Sequence, residues 1–263
     1  MFFIYKTRGN DMKEDSITVP MIITWRRPDQ TSEQESGATD LIIEKIKDDI
    51  ATLLLPDDND ALNGRAMALT TTPAVTKTPL VDMERAIAVI GLAFTADPVF
   101  RWIFPDPDRY LRYFPAFLRV LALAAVKHGT ALQVGDCAGV ALWLPPNVGP
   151  DRAAIKAIMQ EGVASSRQAE VFAFMERTAS YRPTAPYWWL PLIGVDPVHH
   201  HKGFGSALLR HALVRCDSDH MPAHLETGNP ANVRLYERCG FKSLGSFQVG
   251  SSPAVFPMQR AAR

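Results

Sequence analysis

The chain has 263 residues, 47% of them hydrophobic, enough to bury a substantial core in one main domain with an appendage. Lys plus Arg and Asp plus Glu both number 28, so the formal net charge is zero and no basic field argues for a nucleic-acid partner. Three scattered cysteines, Cys137, Cys216 and Cys239, and the lack of any apolar run of membrane-spanning length predict a cytoplasmic protein with reduced thiols and no membrane contact.

Residues 1–80 read differently from the rest. Met1 to Tyr5 is too short an apolar start for a signal peptide. Residues 31–39 are polar, and residues 56–60 form an acidic break. Between them, residues 40–54 have amphipathic helical spacing, with Ile42, Ile43, Ile46, Ile50 and Leu53 on one side. One such helix cannot form a core by itself. A partly disordered N-terminal extension, dispensable for catalysis, is expected over residues 1–80, ahead of a domain at 81–263.

From Asp82 the pattern becomes regular. Asp82 is a plausible N-cap for an apolar helix carrying Ala86, Ile87, Val89, Ile90, Leu92, Ala93 and Phe94, which Pro98 is expected to stop. A second helix over 109–126 offers Tyr110, Tyr113, Phe114 and Phe117 to a cleft or to the core. Residues 131–134 and 139–144 read as a hairpin about Gly135, Asp136 and Cys137. Residues 151–178 read as a helical insertion.

The next stretch is the most informative. Residues 187–195 are an apolar run that reads as a buried strand despite Pro191. A polar loop with Gly203 and Gly205 follows, and then residues 207–213 with helical spacing. A strand feeding a glycine loop and a helix aims backbone N–H groups outward at the helix start, which suits an anion such as a pyrophosphate. A dinucleotide fingerprint fails because Leu208 stands where the third glycine belongs, and a P-loop fails because Lys202 precedes the glycines. Downstream, Ala223 to Glu226 reads as a strand end, Pro230 opens a helix that Gly240 terminates, and residues 243–249 form a weak strand pattern. His199, His200 and His201 point in different directions on a turn and have no ligand-spaced partners, so no metal is expected.

His200-His201-Lys202-Gly203-Phe204-Gly205 resembles the Gln/Arg-x-x-Gly-x-Gly/Ala signature of the GNAT superfamily of N-acetyltransferases, with His200 in the usual Gln/Arg place. Asn232 followed by Leu235-Tyr236-Glu237-Arg238 and Gly240-Phe241 is similar to the second GNAT motif. Ala93 to Pro98, Gly139 to Pro146, Arg182-Pro183, Pro186 to Leu190 and Leu225 to Thr227 resemble the puromycin N-acetyltransferase-like branch. The resemblance implies an α/β (α+β) GNAT fold, a central mixed, largely antiparallel sheet flanked by helices. It also implies acetyl-CoA as cosubstrate, no metal, and direct attack on the thioester by the amine of a small molecule.

Roles for residues follow from the same resemblance. The loop of His200, His201, Lys202, Gly203, Phe204, Gly205 and Ser206 is expected to clasp the pyrophosphate, and the Ile193 and Val195 region to hold the carbonyl oxygen. Asn229 and Asn232 are expected to meet the pantetheine amides, and Tyr236 to protonate the leaving sulfur as an ordinary phenol. Glu226 is the candidate general base, its pKa raised by partial burial. Trp188 and Trp189 are candidates for the acceptor pocket, with one of the two turned into the core. Two alternatives share much of this pattern. One is a catalytically silent acyl-CoA-binding domain, which would keep Gly203, Gly205 and Asn232 but not need Tyr236 or Glu226. The other is an acetyltransferase acting on protein or peptide amines.

Overall fold

The computed structural model describes residues 73–263; the helix expected over 40–54 lies outside them. The strands are β1 (Val75–Lys77), β2 (Ala131–Val134), β3 (Gly139–Leu144), β4 (Trp188–Val195), β5 (Ala223–Thr227), β6 (Lys242–Ser243) and β7 (Phe256–Arg260). The helices are α1 (Met83–Ala93), α2 (Pro98–Ile103), α3 (Pro107–Lys127), α4 (Arg152–Gly162), α5 (Ser165–Ala179), α6 (Phe204–Ser218) and α7 (Pro230–Arg238). The strands form one sheet in the order β1-β2-β3-β4-β5-β7-β6, antiparallel throughout except where β4 lies parallel to β5. That is the mixed, largely antiparallel sheet the family resemblance implies.

Two cores sandwich this sheet. All six residues of β3 are buried, because helices cover both of its faces. Val140, Leu142 and Leu144 join the core with α1, α3 and α4, while Ala141 and Trp143 turn to the core with α6 and α7. Buried Tyr110, Phe114, Leu118, Leu121, Ala122 and Ala125 recur along α3 at helical spacing and fill the first core. Of the aromatics expected on this helix, Tyr110 and Phe114 are in the core and Phe117 reaches a cleft.

Four expectations need correction. Pro98 does not simply stop a helix; it opens α2, where a residue without an N–H suits the first turn, and Asp97 Oδ1 caps it by accepting from the amides of Val99 and Phe100, both at 3.0 Å. The expected insertion over 151–178 is two helices, because Val163 and Ala164 take extended backbone conformations. The weak strand over 243–249 pairs only at Lys242–Ser243 and at one bridge from Phe247 to Val255, and the unforeseen β7 lies between β5 and β6. Finally, β1 pairs with β2, Val75 opposite Val134, so the sheet takes in residues ahead of 81 that were assigned to the extension.

Pro191 shapes the centre of the sheet. Leu142 pairs with Leu192 and Leu144 with Trp189, so two steps along β3 match three along β4. The extra residue is a bulge at Leu190 and Pro191, and it reverses which face later residues present. Trp188 and Leu190 join the α6 core, whereas Leu192 joins the α1 core. Pairing of β4 with β5 stops at Leu190 and Leu225, just before the proline, which has no N–H with which to extend a ladder. Beyond that point β4 runs on along β3 and β5 runs on along β7, with no pairing between them.

Candidate active site

The parting of β4 and β5 opens a gap edged by main chain. Asp196 donates its amide to the Ala138 carbonyl at 2.8 Å, which fixes the alternation of the β3–β4 ladder. Its even-numbered neighbours bond β3, so Ile193 and Val195 turn their N–H groups away from β3 into the gap. The Val195 carbonyl is already engaged, accepting from His200 Nε2 at 3.1 Å. Behind this edge α1 packs on Gly194, where a Cβ would stand 2.9 Å from that of Ala93.

The N-terminus of α6 faces the same gap. Four helices, α2, α3, α4 and α7, are capped by the side chains of Asp97, Asp106, Asp151 and Asn229. The cap of α6 is Gly203, at φ +81° and with no side chain to offer. Helices α1 and α5 also lack a side-chain cap, but neither starts from a left-handed glycine. The first bond inside α6 runs from Ala207 N to Gly203 O at 2.9 Å, leaving the amides of Phe204, Gly205 and Ser206 without an acceptor among the described residues.

Gly205 is the more telling glycine. A Cβ there would meet only Leu235 at 3.8 Å and Val195 at 4.0 Å, ordinary contacts. The fold itself has room for a side chain, and glycine within a helix is worse than alanine by up to about 1 kcal/mol. A ligand lying against the backbone is what the missing side chain accommodates. His199, His200, His201, Gly203, Phe204, Gly205 and Ser206 all line the cleft. Lys202 Nζ stands 3.0 Å from the Nδ1 of His199, which lines the cleft.

The cleft holds about 1440 Å³. Single small-molecule sites run to roughly 300–1,000 Å³, so two reactants fit together. Tyr236, only 5% exposed, contributes to its wall, and its hydroxyl has no partner among the described residues. Burial, reinforced by Asp97 and Cys239, pushes its pKa well above the usual phenol value. In place of the ordinary phenol expected, this one stays protonated and keeps its hydrogen available for donation. Asn232 lies in the wall with its side-chain amide unengaged among the described residues, whereas Asn229 Oδ1 is committed to capping α7 through Ala231 N at 3.0 Å.

Glu226 sits one residue past the last β4–β5 pair. Its Oε1 accepts from Arg182 Nε at 2.8 Å, its Oε2 from Trp189 Nε1 at 2.9 Å, and His224 Nε2 stands 3.4 Å from Oε1. The Arg182 guanidinium also lies over the Trp189 ring, 3.8 Å from its centroid. Desolvation pushes the Glu226 pKa up, as foreseen, but Arg182 and His224 outweigh it and hold the carboxyl down to about 2. The expectation of a raised pKa is overturned by these partners, which spacing did not reveal. Trp188 is corrected too: it lies on the other face of the sheet, in the α6 core, with Nε1 donating to Asp219 Oδ2 at 3.2 Å. Trp189 is the indole that borders the cleft.

A pKa lowered by folding adds stability above the unfolded value, which is lost as pH falls through the folded one. For Glu226 the window runs from the ordinary 4.5 down to about 2 and is worth on the order of 3 kcal/mol. In urea titrations at successive pH values, wild type is expected to lose that much more stability across this window than Glu226→Gln. Identical pH slopes would show that the carboxylate is not held by its partners.

Comparison with known proteins agrees with this fold. Residues 162–241, which include β4, α6, β5 and α7, match the model of the Acetyltransferase (GNAT) family. An uncharacterized N-acetyltransferase of Schizosaccharomyces pombe is 23% identical over 174 residues, covering 61% of this chain and 70% of that protein. Among solved structures, a histone acetyltransferase HPA2 and related acetyltransferase from Corynebacterium glutamicum superposes with a TM-score of 0.56 at 24% identity, covering 73% of this chain and 98% of that one. Arylalkylamine N-acetyltransferase 2 from Aedes aegypti gives a TM-score of 0.52 at 13% identity, covering 73% and 100%.

Proposed function

We propose that this acyltransferase, whose fold is that of the GNAT family, moves an acetyl group from acetyl-CoA to the amine of a small molecule, and that it stands with the puromycin N-acetyltransferase-like branch. The observation that carries the reading is the meeting of two unsatisfied backbone edges, the parted β4 strand and the uncapped start of α6, in one cleft. The residues present fit the cosubstrate. Unpaired amides at Phe204, Gly205 and Ser206, with no Cβ at 205, suit a diphosphate. The unengaged Asn232 amide suits the peptide-like arm.

Acetyl-CoA supplies the acyl group as an activated thioester. In the transfer a C–N bond forms, the C–S bond breaks, the amine loses a proton and the sulfur gains one. The Ile193 and Val195 amides donate to the carbonyl oxygen as it takes on negative charge. Tyr236 donates a hydrogen bond to the departing sulfur as negative charge builds there. Glu226, with both oxygens occupied and its pKa held near 2, is read as a positioning residue rather than the base: with Arg182 and Trp189 it ties β5 to β4 where the main-chain ladder ends.

The test is turnover by the purified full chain with acetyl-CoA and a panel of small amines, following release of free thiol. Thiol release that requires both reactants is the expected result. Tight acetyl-CoA binding with no turnover of any amine would mark a silent acyl-CoA-binding domain instead.

A further inference from the structure

One part of the cleft wall has a chemistry of its own. Phe94 ends α1, Phe100 lies in α2 and Phe117 in α3, and all three line the cleft. Phe94 and Phe100 meet edge to face with centroids 5.7 Å apart, and Phe100 and Phe117 are 5.5 Å apart. Leu121, Phe172 and Met175 continue this wall. It is an apolar compartment shaped for a flat or bulky hydrophobic body.

One carboxylate stands at its edge with an oxygen to spare. Asp97 lines the cleft, and its Oδ1 takes both amides of the α2 cap. No partner for Oδ2 and no cation paired with Asp97 occur among the described residues. Glu226, by contrast, is matched by Arg182. Asp97 and Tyr236 line the same cleft. The Asp97 amide bonds the Phe94 carbonyl at 2.9 Å, so the carboxylate and the aromatic wall share one corner of the chain. The corner is held rigidly, because Val99 packs against Gly228 at the end of β5, leaving no room there for a side chain.

We propose that the acceptor is a primary amine on an aromatic or similarly apolar body, held as its cation by Asp97 Oδ2 with the body against Phe94, Phe100 and Phe117. The ammonium gives one proton to solvent before its nitrogen attacks, and the second, shed as the amide forms, is the one the sulfur gains. This rests on the acetyl-transfer reading above. Alkyl amines reach the site as cations at neutral pH, and an otherwise unpaired, half-buried carboxylate is the group that recognises them. Polyamines and lysine side chains would bring further charge or polar backbone against the apolar wall, which costs binding.

The experiment uses the full chain at saturating acetyl-CoA, with phenethylamine, tryptamine, spermidine and a lysine-containing peptide as acceptors. Asp97→Asn keeps the capping oxygen and removes only the charge. Aromatic monoamines are expected to exceed spermidine and the peptide by at least about ten-fold in kcat/KM. Asp97→Asn is expected to raise KM for phenethylamine by roughly thirty-fold or more, with acetyl-CoA affinity and thermal midpoint unchanged. Competition adds a readout that a merely structural role would not move: wild type should prefer phenethylamine to its neutral alcohol analogue, and the variant should lose that preference. Preferred turnover of spermidine or the peptide, or an unaltered KM and preference in the variant, overturns this inference and leaves acetyl transfer standing. Failure to bind acetyl-CoA at all overturns the acetyl-transfer reading itself.

Discussion

Replacing Gly205 with alanine is expected to make the ligand-free protein slightly more stable and its hold on acetyl-CoA much weaker. The two effects have separate causes. In the free protein the new methyl group meets Leu235 and Val195 only at ordinary contact distance. Alanine also removes the backbone freedom of a glycine in the first turn of α6, a gain of a few tenths up to about 1 kcal/mol. Toward the ligand, the methyl stands where a diphosphate oxygen would approach the amides. Lost charge-assisted hydrogen bonds of about 1.5–3 kcal/mol each correspond to a fall in affinity on the order of 100-fold. Thermal unfolding and calorimetric titration of the same sample separate the two. Higher stability with undiminished affinity would remove Gly205 from the anion site.

Tyr236→Phe carries the other large effect. The hydroxyl has no partner among the described residues, so its loss should cost little stability. Turnover should fall by roughly 10²- to 10³-fold, the usual worth of a hydrogen-bond donor aimed at developing charge, while the dissociation constant of acetyl-CoA stays within a few-fold. The raised pKa of the phenol refines the role. A thiol near 8.5 is a stronger acid than this tyrosine, so the hydroxyl acts by donating a hydrogen bond that strengthens as the C–S bond lengthens. Turnover and affinity falling together would contradict that role, and unchanged turnover would dispense with it.

The part of the fold that carries the site was legible because its signals are local. A strand, two glycines, a helix, another strand and a proline-opened helix follow one another within one stretch, and each has its own punctuation. Pro191 was legible too, but as an exception to a strand pattern. Its meaning, a bulge that ends the β4–β5 ladder and opens the cleft, depends on what the neighbouring strands do.

What escaped was long-range. Arg182 lies 44 residues from Glu226 in sequence, and no spacing rule joins them. Burial of Glu226 was foreseeable, whereas the arginine that reverses its effect on the pKa was not. Alternation required Trp188 and Trp189 to face opposite ways but did not say which faced the cleft, since that follows from which helices cover each face of the sheet. Asp97 was hidden behind Pro98, which read as a helix stop rather than as the first turn of α2. Strand β7 carries Pro257 and too short a pattern to stand out.

The central claim is that the amides at the start of α6 hold the diphosphate of acetyl-CoA. Calorimetric titration of the purified full chain with acetyl-CoA and with S-acetylpantetheine, which carries the same thioester arm without the diphosphate, tests it most directly. Acetyl-CoA is expected to saturate one site per chain, and the fragment to bind about 100-fold more weakly or worse. Equal affinity for the two, or no uptake of acetyl-CoA, would contradict the account.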